Sequence, residues 1–543
     1  MSDIKKKEDA VFKEEFSSDE GSSTDGGNNH IIVPDKKKNA SISSTYGTTE
    51  LKDDEKYKDV HGYDPDLEWE EHEEAKVRRK IDVYLMPFLL LMAFVLNMDR
   101  TNHSNAISDH LNVDLGFSLD GVNNAILAYS VLFTIFTLPS NFIAKKIGAY
   151  RWIPIMMSLW AVITWAHVLI HNYAGYMTVR VLIAITEAGF IPATLNYMTT
   201  WYKTKELATR LAFFWGIQSV ASAVSGLISF GIFRLRGVGG LFGWQWLFLI
   251  DGIFTHIVAI VAFLYLPKNP GSTGGLIRGK SGWFTEREAK IAVTRVIRDD
   301  LTKTDQDVPI TWEDVKLALK DTKLWTHLVT TFVGMMTHTP ISTYLPSIIR
   351  DGGFAVTTAN LLTMPSYLGG LAFSIMIAYS SDRYGEVALH ALIGNIWQMV
   401  GYIALRAIPM NAGRWQLFAA ATVTASSPSW HGMHIAYMSS NMAPAGKRAI
   451  ALGAIIGAAN LDGVPGSQIY RADDAPRYPT GNLICIVLNV VAIFLLISQR
   501  VRYTLTNKYR EKEWNSMSDA DKEIYNKTTK HKGNDRLDYR FRI

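Results

Sequence analysis

Long apolar stretches separated by short polar turns make up most of the chain between residues 83 and 500. About 20 apolar residues let a helix cross a bilayer, and the chain offers about twelve windows of roughly that length. The predicted spans are 83–106, 121–142, 152–170, 176–199, 210–232, 245–266, 325–346, 360–380, 387–406, 415–439, 447–468 and 481–500. The pattern predicts an all-α membrane protein with about twelve transmembrane helices.

Polar blocks divide these spans into two bundles of about six helices each. Residues 1–80 are rich in Ser, Asp, Glu, Lys and Gly, and such a segment buries too little apolar surface to fold, so we expect a disordered cytosolic tail. A polar block at 267–323, in which capping-box patterns predict short helices, separates a first bundle (81–266) from a second bundle (324–500). Residues 501–543 form a second polar tail.

The distribution of positive charge predicts the orientation in the membrane. A basic run at 76–82 precedes the first span. Further basic residues fall in the predicted inner loops: Lys145, Lys146, Arg151, Lys203, Lys205, Arg210, Arg383, Lys447 and Arg448. By the positive-inside rule both tails lie in the cytosol, although Arg234, Arg236 and Arg471 are exceptions on the predicted outer side.

The two predicted bundles contain matching turns. Lys145 and Gly148 belong to a short basic turn after the second span, and Asp382, Arg383 and Gly385 belong to one after the eighth. A parallel repeat of this kind is typical of transporters built from two related bundles, with the binding site between them near the middle of the membrane.

We single out four ionisable side chains inside the apolar spans, namely Asp99, Arg100, Arg180 and Glu187. A charge in hydrocarbon costs at least about 2.5–3.5 kcal/mol, so it normally faces a protein or water-filled interior. Arg180 and Glu187 point from nearly the same helix face, roughly 10 Å apart along the axis. They could form a structural ion pair, and Asp99 with Arg100 could be a solvated helix end. The alternative is a proton site beside a substrate cavity.

These residue types fit the transport of an anion together with protons. The planar fork of arginine donates paired hydrogen bonds to a carboxylate, sulfonate or sulfate. A carboxylate shielded from water gains affinity for a proton, and a nearby arginine opposes that gain. An anion that engages the arginine would therefore favour protonation of Asp99 or Glu187, which is a physical route to symport.

Other polar residues lie within the predicted spans: Tyr129, His338, Ser427, Ser429, Trp430 and Asn460. Tyr129 either faces a cavity or packs. Pro428 predicts a helix break around the two serines, which membrane proteins tolerate only next to protein or water. His338 is a candidate binding residue, although a lone histidine in a span is more often a satisfied core histidine, and Asn460 follows a GxxxG pattern that indicates helix contact.

Composition and motifs argue against several other classes of protein. The net charge is only +4, so nucleic acid is not an expected partner. Cys485 is the single cysteine, which rules out an internal disulfide and a cysteine-based metal cluster. His431 and His434 share a helix face without a nearby acid, so no metal site is predicted. The chain has neither a GxxxxGK[ST] motif nor a catalytic constellation, so we expect no enzyme, no cofactor and a proton gradient as the energy source.

Several motifs together resemble the major facilitator superfamily, and within it the fungal anion:cation symporter family, the allantoate-permease group. They are RRKID, MDRTNHSNA, EAGFIP, TWYKTKEL, GWQWLFLIDG and SDRYG. The resemblance covers roughly residues 64–543. It implies that Arg100 engages a substrate carboxylate and that Asp99 and Glu187 take up protons. Arg180 matches the arginine that precedes this glutamate in the family and is counted among the binding residues. By a looser alignment the resemblance also places a further set along the substrate cavity: Tyr129, Ser427, Ser429, Trp430 and Asn460. It also implies that the two basic turns act in gating, although Lys145 stands where the first turn usually has an acidic residue and the second turn retains Asp382.

The sequence thus predicts a monomeric, proton-coupled importer of a small organic anion in the plasma membrane of a fungus. Vitamin carboxylates, allantoate or ureido acids, and sulfonates are the expected substrate classes. A carrier of a zwitterionic thiol amino acid or a sulfate-like anion is an alternative. A nutrient sensor that does not transport is another, although the two tails are short for signalling domains.

Overall fold

The computed structural model describes residues 62–299, 312–409 and 411–543. These residues are almost entirely helical, and no strand longer than an isolated bridge occurs among them. The disorder predicted for residues 1–61 lies outside the described residues. The rest of that predicted tail is ordered, because a helix begins at Glu71.

The first half of the chain folds into α1 (Glu71–Tyr84), α2 (Met86–Ser108), α3 (Leu111–Asp114), α4 (Leu119–Ile147), α5 (Ala149–Trp165), α6 (Tyr173–Glu187), α7 (Phe190–Thr199), α8 (Thr204–Ile232) and α9 (Gly243–Tyr265). The linker contributes α10 (Glu286–Asp299) and α11 (Trp312–Lys320). The second half contains α12 (Thr322–Met336), α13 (His338–Asp351), α14 (Val356–Leu361), α15 (Met364–Tyr384), α16 (Ala388–Ala407), α17 (Arg414–Ala425), α18 (His431–Ser440), α19 (Ala445–Leu461), α20 (Gly463–Gly466), α21 (Pro479–Ser516) and α22 (Asp519–Thr528).

Within the described chain, 10 helical stretches are long and apolar enough to cross a membrane. They are Glu71–Ser108, Leu119–Ile147, Ala149–Leu169, Tyr173–Thr199, Thr209–Leu235, Gly243–Tyr265, Val356–Ser381, Ala388–Ala407, Gly446–Gly466 and Pro479–Ser516. The predicted spans 325–346 and 415–439 are each divided into two shorter helices. The first is interrupted at Thr337, whose hydroxyl donates to the Gly334 carbonyl at 2.8 Å. The second is interrupted at 426–430, around Pro428, so a count of about twelve spans stays a prediction.

The two halves are joined at the end of the molecule where α2 ends and α4 begins. Asn123 donates to the Tyr470 carbonyl at 2.7 Å, and Arg350 donates to the Ser108 carbonyl at 2.7 Å. Ile107 and Val122 belong to the same apolar core as residues of the second half. We call this the joined end. Away from it, α8 packs against α15 and α4 packs against α19.

The basic turns lie at the opposite end, because α4 runs from the joined end to Lys145 and Lys146 and a helix rises about 1.5 Å per residue. We call this the basic end, defined by the turns at 145–151 and 383–385. The linker helices are divided between the two halves. In α10, Glu288 pairs with Lys80 at 2.6 Å, whereas α11 packs against α19. The helix at 71–84 is therefore explained by a partner, α10, that its own composition does not reveal.

Candidate functional site

A cavity of about 280 Å³ lies between the halves. Its wall on the first half consists of Arg100, His103, Ile126, Tyr129, Ser130, Phe133 and Arg180. Its wall on the second half consists of Thr339, Ser342, Thr343, Ala459, Asn460, Asp462 and Gly463. The space is large enough for a small organic molecule, and most of its charge is on the side of the first half.

An ion pair between Arg100 and Glu187 forms the charged centre of this wall. The Arg100 Nε donates to Glu187 Oε1, and the Tyr129 hydroxyl donates to Glu187 Oε2 at 2.6 Å. Glu187 is buried, whereas about a third of the Arg100 side chain, 34%, is exposed. Because the arginine faces the cavity and the glutamate lies behind it, an anion in the cavity can reach Arg100 directly.

Arg180 brings a second guanidinium to the same place. It lies 5.1 Å from the centre of the Tyr129 ring, a cation–π arrangement. Its Nε is buried and has no hydrogen-bond partner among the described residues. The structural ion pair considered for Arg180 and Glu187 is replaced by the pair between Arg100 and Glu187. Arg180 therefore has donor capacity left for a ligand.

Asp99 points away from the cavity into the interior of the first half. Its Oδ2 accepts from the Thr164 hydroxyl at 2.8 Å. One helical turn along α2, Asn102 donates at 2.8 Å to Asp251 of α9, and the Asp251 carboxyl is a close neighbour of Asp99. Both carboxyl groups are buried, with 8% and 4% of the residue exposed. Two adjacent buried carboxylates repel each other when both are charged.

Asp251 is a residue that the sequence reasoning missed as a site residue. It is an acid within the apolar stretch of α9 and part of the GWQWLFLIDG motif. The same rule that singled out Glu187, an acid inside a span, could have found it. Asp462, on the cavity wall of the second half, was missed in the same way.

Of the remaining predicted binding residues, one lies on the cavity wall and the others lie outside it. Asn460 lines the cavity with Tyr129. His338 does not belong to its wall and is exposed at the start of α13, next to Thr339, which does.

The predicted binding residues of the second helix break also lie outside the cavity wall. Ser427, Ser429 and Trp430 form the link between α17 and α18. The Ser429 amide donates to the Ser374 hydroxyl at 2.8 Å. A side chain at Gly334 or Gly394 would collide with Trp430, so that indole is tightly packed. The break was expected from Pro428. In this structure Ser429 and Trp430 pack against neighbouring helices at the break, and none of the three residues belongs to the cavity wall.

The predicted gating turns lie at the basic end. Lys145 and Arg383 have exposed side chains, and the side chain of Asp382 lies outside the described part. Gly148 has φ +90° and Gly385 has φ +65°, conformations that favour glycine and end α4 and α15 sharply.

Comparison with known proteins supplies the family. The model of the Major Facilitator Superfamily matches residues 89–467. The uncharacterized transporter YIL166C of Saccharomyces cerevisiae is 30% identical over 492 residues, covering 89% of this chain and 90% of the relative. The major facilitator-type transporter hxnP of Emericella nidulans is 28% identical over 457 residues, covering 80% and 87%.

Solved structures give the same fold. A bacterial homologue of the human lysosomal transporter Spinster, inward-facing and unoccupied, matches with a TM-score of 0.59 at 16% identity, covering 80% of this chain and 98% of that one. The Escherichia coli xylose transporter XylE, in a partially occluded inward-open conformation, matches with a TM-score of 0.58 at 13% identity, covering 78% and 98%. On the strength of the family match and the relatives, the chain belongs to the major facilitator superfamily of membrane transporters.

Proposed function

We propose that this transporter is a proton-coupled symporter that imports a small organic anion by alternating access. The single observation that carries the proposal is the ion pair between Arg100 and Glu187 on the cavity wall, with the unpartnered Nε of Arg180 beside it. Paired guanidinium groups are suited to a carboxylate or a sulfonate. A buried glutamate that shares its arginine with the substrate is suited to carry the coupled proton.

The coupling follows from competition for one guanidinium. In the structure Glu187 accepts hydrogen bonds from Arg100 and Tyr129. An entering anion takes hydrogen bonds from Arg100 and Arg180, so Glu187 loses its counter-charge. A buried carboxylate without a counter-charge is strongly disfavoured, and it takes up a proton instead. The site that holds both the anion and the proton is then close to neutral. This lowers the free-energy cost of closing the site off from water when the two halves rock.

Asp99 and Asp251 extend this proposal into the interior of the first half. They lie outside the cavity wall, so they are suited to hold a proton without touching the substrate. The proposal therefore assigns proton coupling to Asp99 and Glu187 together, and substrate binding to Arg100, Arg180, Tyr129 and Asn460.

The proposal also covers the subfamily, the membrane, the topology and the substrate class. We place the protein in the fungal anion:cation symporter family, close to the allantoate permeases, as a monomer in the plasma membrane. It would have about twelve spans and both tails in the cytosol. Vitamin carboxylates, allantoate or ureido acids, and sulfonates are the proposed substrates, and no cofactor is needed beyond the proton gradient.

A zwitterionic substrate is a second candidate, and Asp462 favours it. This acid lines the cavity on the second half, whereas Arg100 and Arg180 line the first half. A zwitterion could place its carboxylate on the arginines and its ammonium group near Asp462. Asp462→Asn should abolish uptake of a zwitterion and leave uptake of a simple anion largely intact, which separates the two candidates.

The test is a growth screen followed by labelled uptake. Transport-deficient yeast expressing the protein is grown on vitamins, allantoate, ureido acids and sulfonates as sole sources, and each hit is measured as radiolabelled uptake with and without a protonophore. We expect uptake of at least one anion that the protonophore abolishes and that Arg100→Ala removes. Uptake that the protonophore leaves unchanged would refute proton coupling, and signalling without any uptake would indicate a sensor.

A further inference from the structure

A second concave site lies at the basic end, outside the transport cavity. It is a groove of about 540 Å³ between the start of α5, the end of α9 and the glycine-rich loop that follows α9. Its wall consists of Tyr150, Arg151, Ile155, Phe263, Leu266, Lys268, Ser272, Gly274 and Arg278. We call it the basic groove.

Three cations converge on the basic groove, namely Arg151, Lys268 and Arg278, and no carboxylate belongs to its described wall. Arg278 is held in place by carbonyl groups, since its Nε donates to Thr273 at 2.7 Å and its Nη2 donates to Gly274 at 2.7 Å. Carbonyl groups fix the guanidinium but leave its charge uncompensated. The groove therefore presents net positive charge on a pre-organised surface.

Other basic residues near this end of the first half have acidic partners. Arg287 pairs with Glu73 at 2.8 Å, and Arg295 pairs with Glu206 at 2.9 Å. The three cations of the basic groove differ from these two, because no acidic partner is found for them in the described part of the chain. A concave surface with charge of one sign attracts anions from outside the chain.

The apolar part of the groove and the adjoining loop point to the source of that anion. Phe263, on the groove wall, is 47% exposed on the membrane-facing surface of α9. The loop tip next to it carries Leu276, which is 84% exposed, and Ile277, which is 51% exposed. A hydrogen bond of 3.0 Å from the Gly275 amide to the Gly279 carbonyl closes this tip. Exposed apolar residues beside a cationic groove at the end of a membrane helix are suited to the interface of a bilayer.

We propose that the basic groove binds the phosphate-bearing headgroup of an anionic membrane lipid. The three cations engage the phosphate, Ile155, Phe263 and Leu266 contact the glycerol and upper acyl region, and the loop tip inserts into the same leaflet. By the positive-inside rule this is the cytosolic leaflet, which carries the anionic lipids. The proposal is independent of the transported substrate and of proton coupling.

The experiment measures lipid retention by the purified full-length protein. The protein is reconstituted in nanodiscs of phosphatidylcholine with a few per cent phosphatidylinositol 4-phosphate or phosphatidylserine, and bound lipid is quantified by native mass spectrometry after release. The double variant Arg151→Gln with Lys268→Gln leaves Arg278 and its loop intact. Each basic residue near an anionic surface contributes about a fivefold gain in affinity, so we expect retention to fall roughly tenfold or more.

The matched control is Lys320→Gln with Lys512→Gln, which removes the same charge from exposed positions at the end of linker helix α11 and on α21. Retention within twofold of wild type in the groove variant, or an equal loss in the control, would overturn the proposal.

Two further arms distinguish a lipid from a soluble phosphate. Leu276→Ser with Ile277→Ser should weaken retention of the lipid but leave any binding of inositol 1,4-bisphosphate unchanged. Competition by that soluble compound at equal affinity, with no effect of the tip variant, would assign the groove to a free phosphate and overturn the lipid assignment.

Discussion

The substitution Glu187→Gln tests how the substrate anion and the proton share one arginine. It keeps the shape of the side chain and lets the amide oxygen accept from Tyr129, whose hydroxyl lies 2.6 Å from Glu187 Oε2. It removes the charge that pairs with Arg100. Breaking a fully buried ion pair costs about 3–5 kcal/mol, but 34% of the Arg100 side chain is exposed to the cavity. A cost of about 1–2 kcal/mol is therefore expected, which leaves the variant folded.

The effect on transport should be far larger than the effect on stability. A gradient of two pH units stores about 2.7 kcal/mol per proton. If one proton crosses with each anion, this gradient supports roughly 100-fold accumulation of the anion inside the vesicle. Glutamine cannot bind the coupled proton, so the pH gradient should no longer drive accumulation. The anion should then reach about the same concentration inside and outside the vesicle. Exchange of labelled for unlabelled anion should persist, because Arg100 and Arg180 still bind the substrate.

The assay uses proteoliposomes with an acidic exterior and an anion identified by the growth screen, with the amount of inserted protein matched. Glu71→Gln, an exposed glutamate outside the cavity, is the control and should accumulate substrate like wild type. Accumulation driven by the pH gradient at the wild-type level in Glu187→Gln would refute the competition for Arg100.

Three further predictions follow from the same contacts. Arg100→Lys removes the planar fork, and losing a charged hydrogen bond worth about 1.5–3 kcal/mol should weaken anion binding roughly 10- to 150-fold, measured as KM for uptake; an unchanged KM would reject its binding role. Asp251→Asn should change the pH profile of uptake while KM stays within twofold, since Asp251 lies outside the cavity wall; an unaltered profile would exclude it from proton handling. Asn534→Ala should cost about 2–4 kcal/mol in thermal unfolding, because this buried residue donates to Asp321 at 3.1 Å and accepts from Lys447 at 2.8 Å; Asn526→Ala, on the exposed surface, is the control.

The cost at Asn534 should not vary between pH 5 and pH 8. Burial acts to raise the pKa of Asp321, but the hydrogen bond and charge of Lys447 outweigh burial and hold that pKa below 3.8. A carboxylate with a lowered pKa stabilises the fold above the pKa of the unfolded chain and loses that contribution only as the pH falls below it. A stability difference that disappears between pH 7 and pH 5 would contradict this arrangement.

Apolar periodicity was sufficient to predict the general architecture. Ten of the predicted spans correspond to long apolar helices, because a bilayer requires a length and composition that are visible in the sequence. The two divided spans show the limit of this rule, since a window of apolar residues does not report a break such as that at Thr337. The helix that begins at Glu71 shows another limit: its stability depends on contacts with α10, which lies more than 200 positions away.

The candidate site was predictable in its residue types but not in its pairing. Arg100 and Glu187 stand 87 positions apart, and nothing in the sequence indicates which arginine meets the glutamate, because that depends on how each helix is rotated. Spacing within one helix offered Arg180 as one partner for Glu187, and the structure uses Arg100. Ser427, Ser429 and Trp430 illustrate the same problem, since the break was predictable from Pro428 and the direction of these side chains was not.

The most direct test of the central claim is the number of protons taken up when the anion binds. It can be measured with purified protein by titration calorimetry in two buffers of different ionisation enthalpy. Competition between the substrate and Glu187 for Arg100 predicts net uptake of close to one proton per anion in the wild type and a clear loss of that uptake in Glu187→Gln. Anion binding with no proton uptake in the wild type would contradict the account.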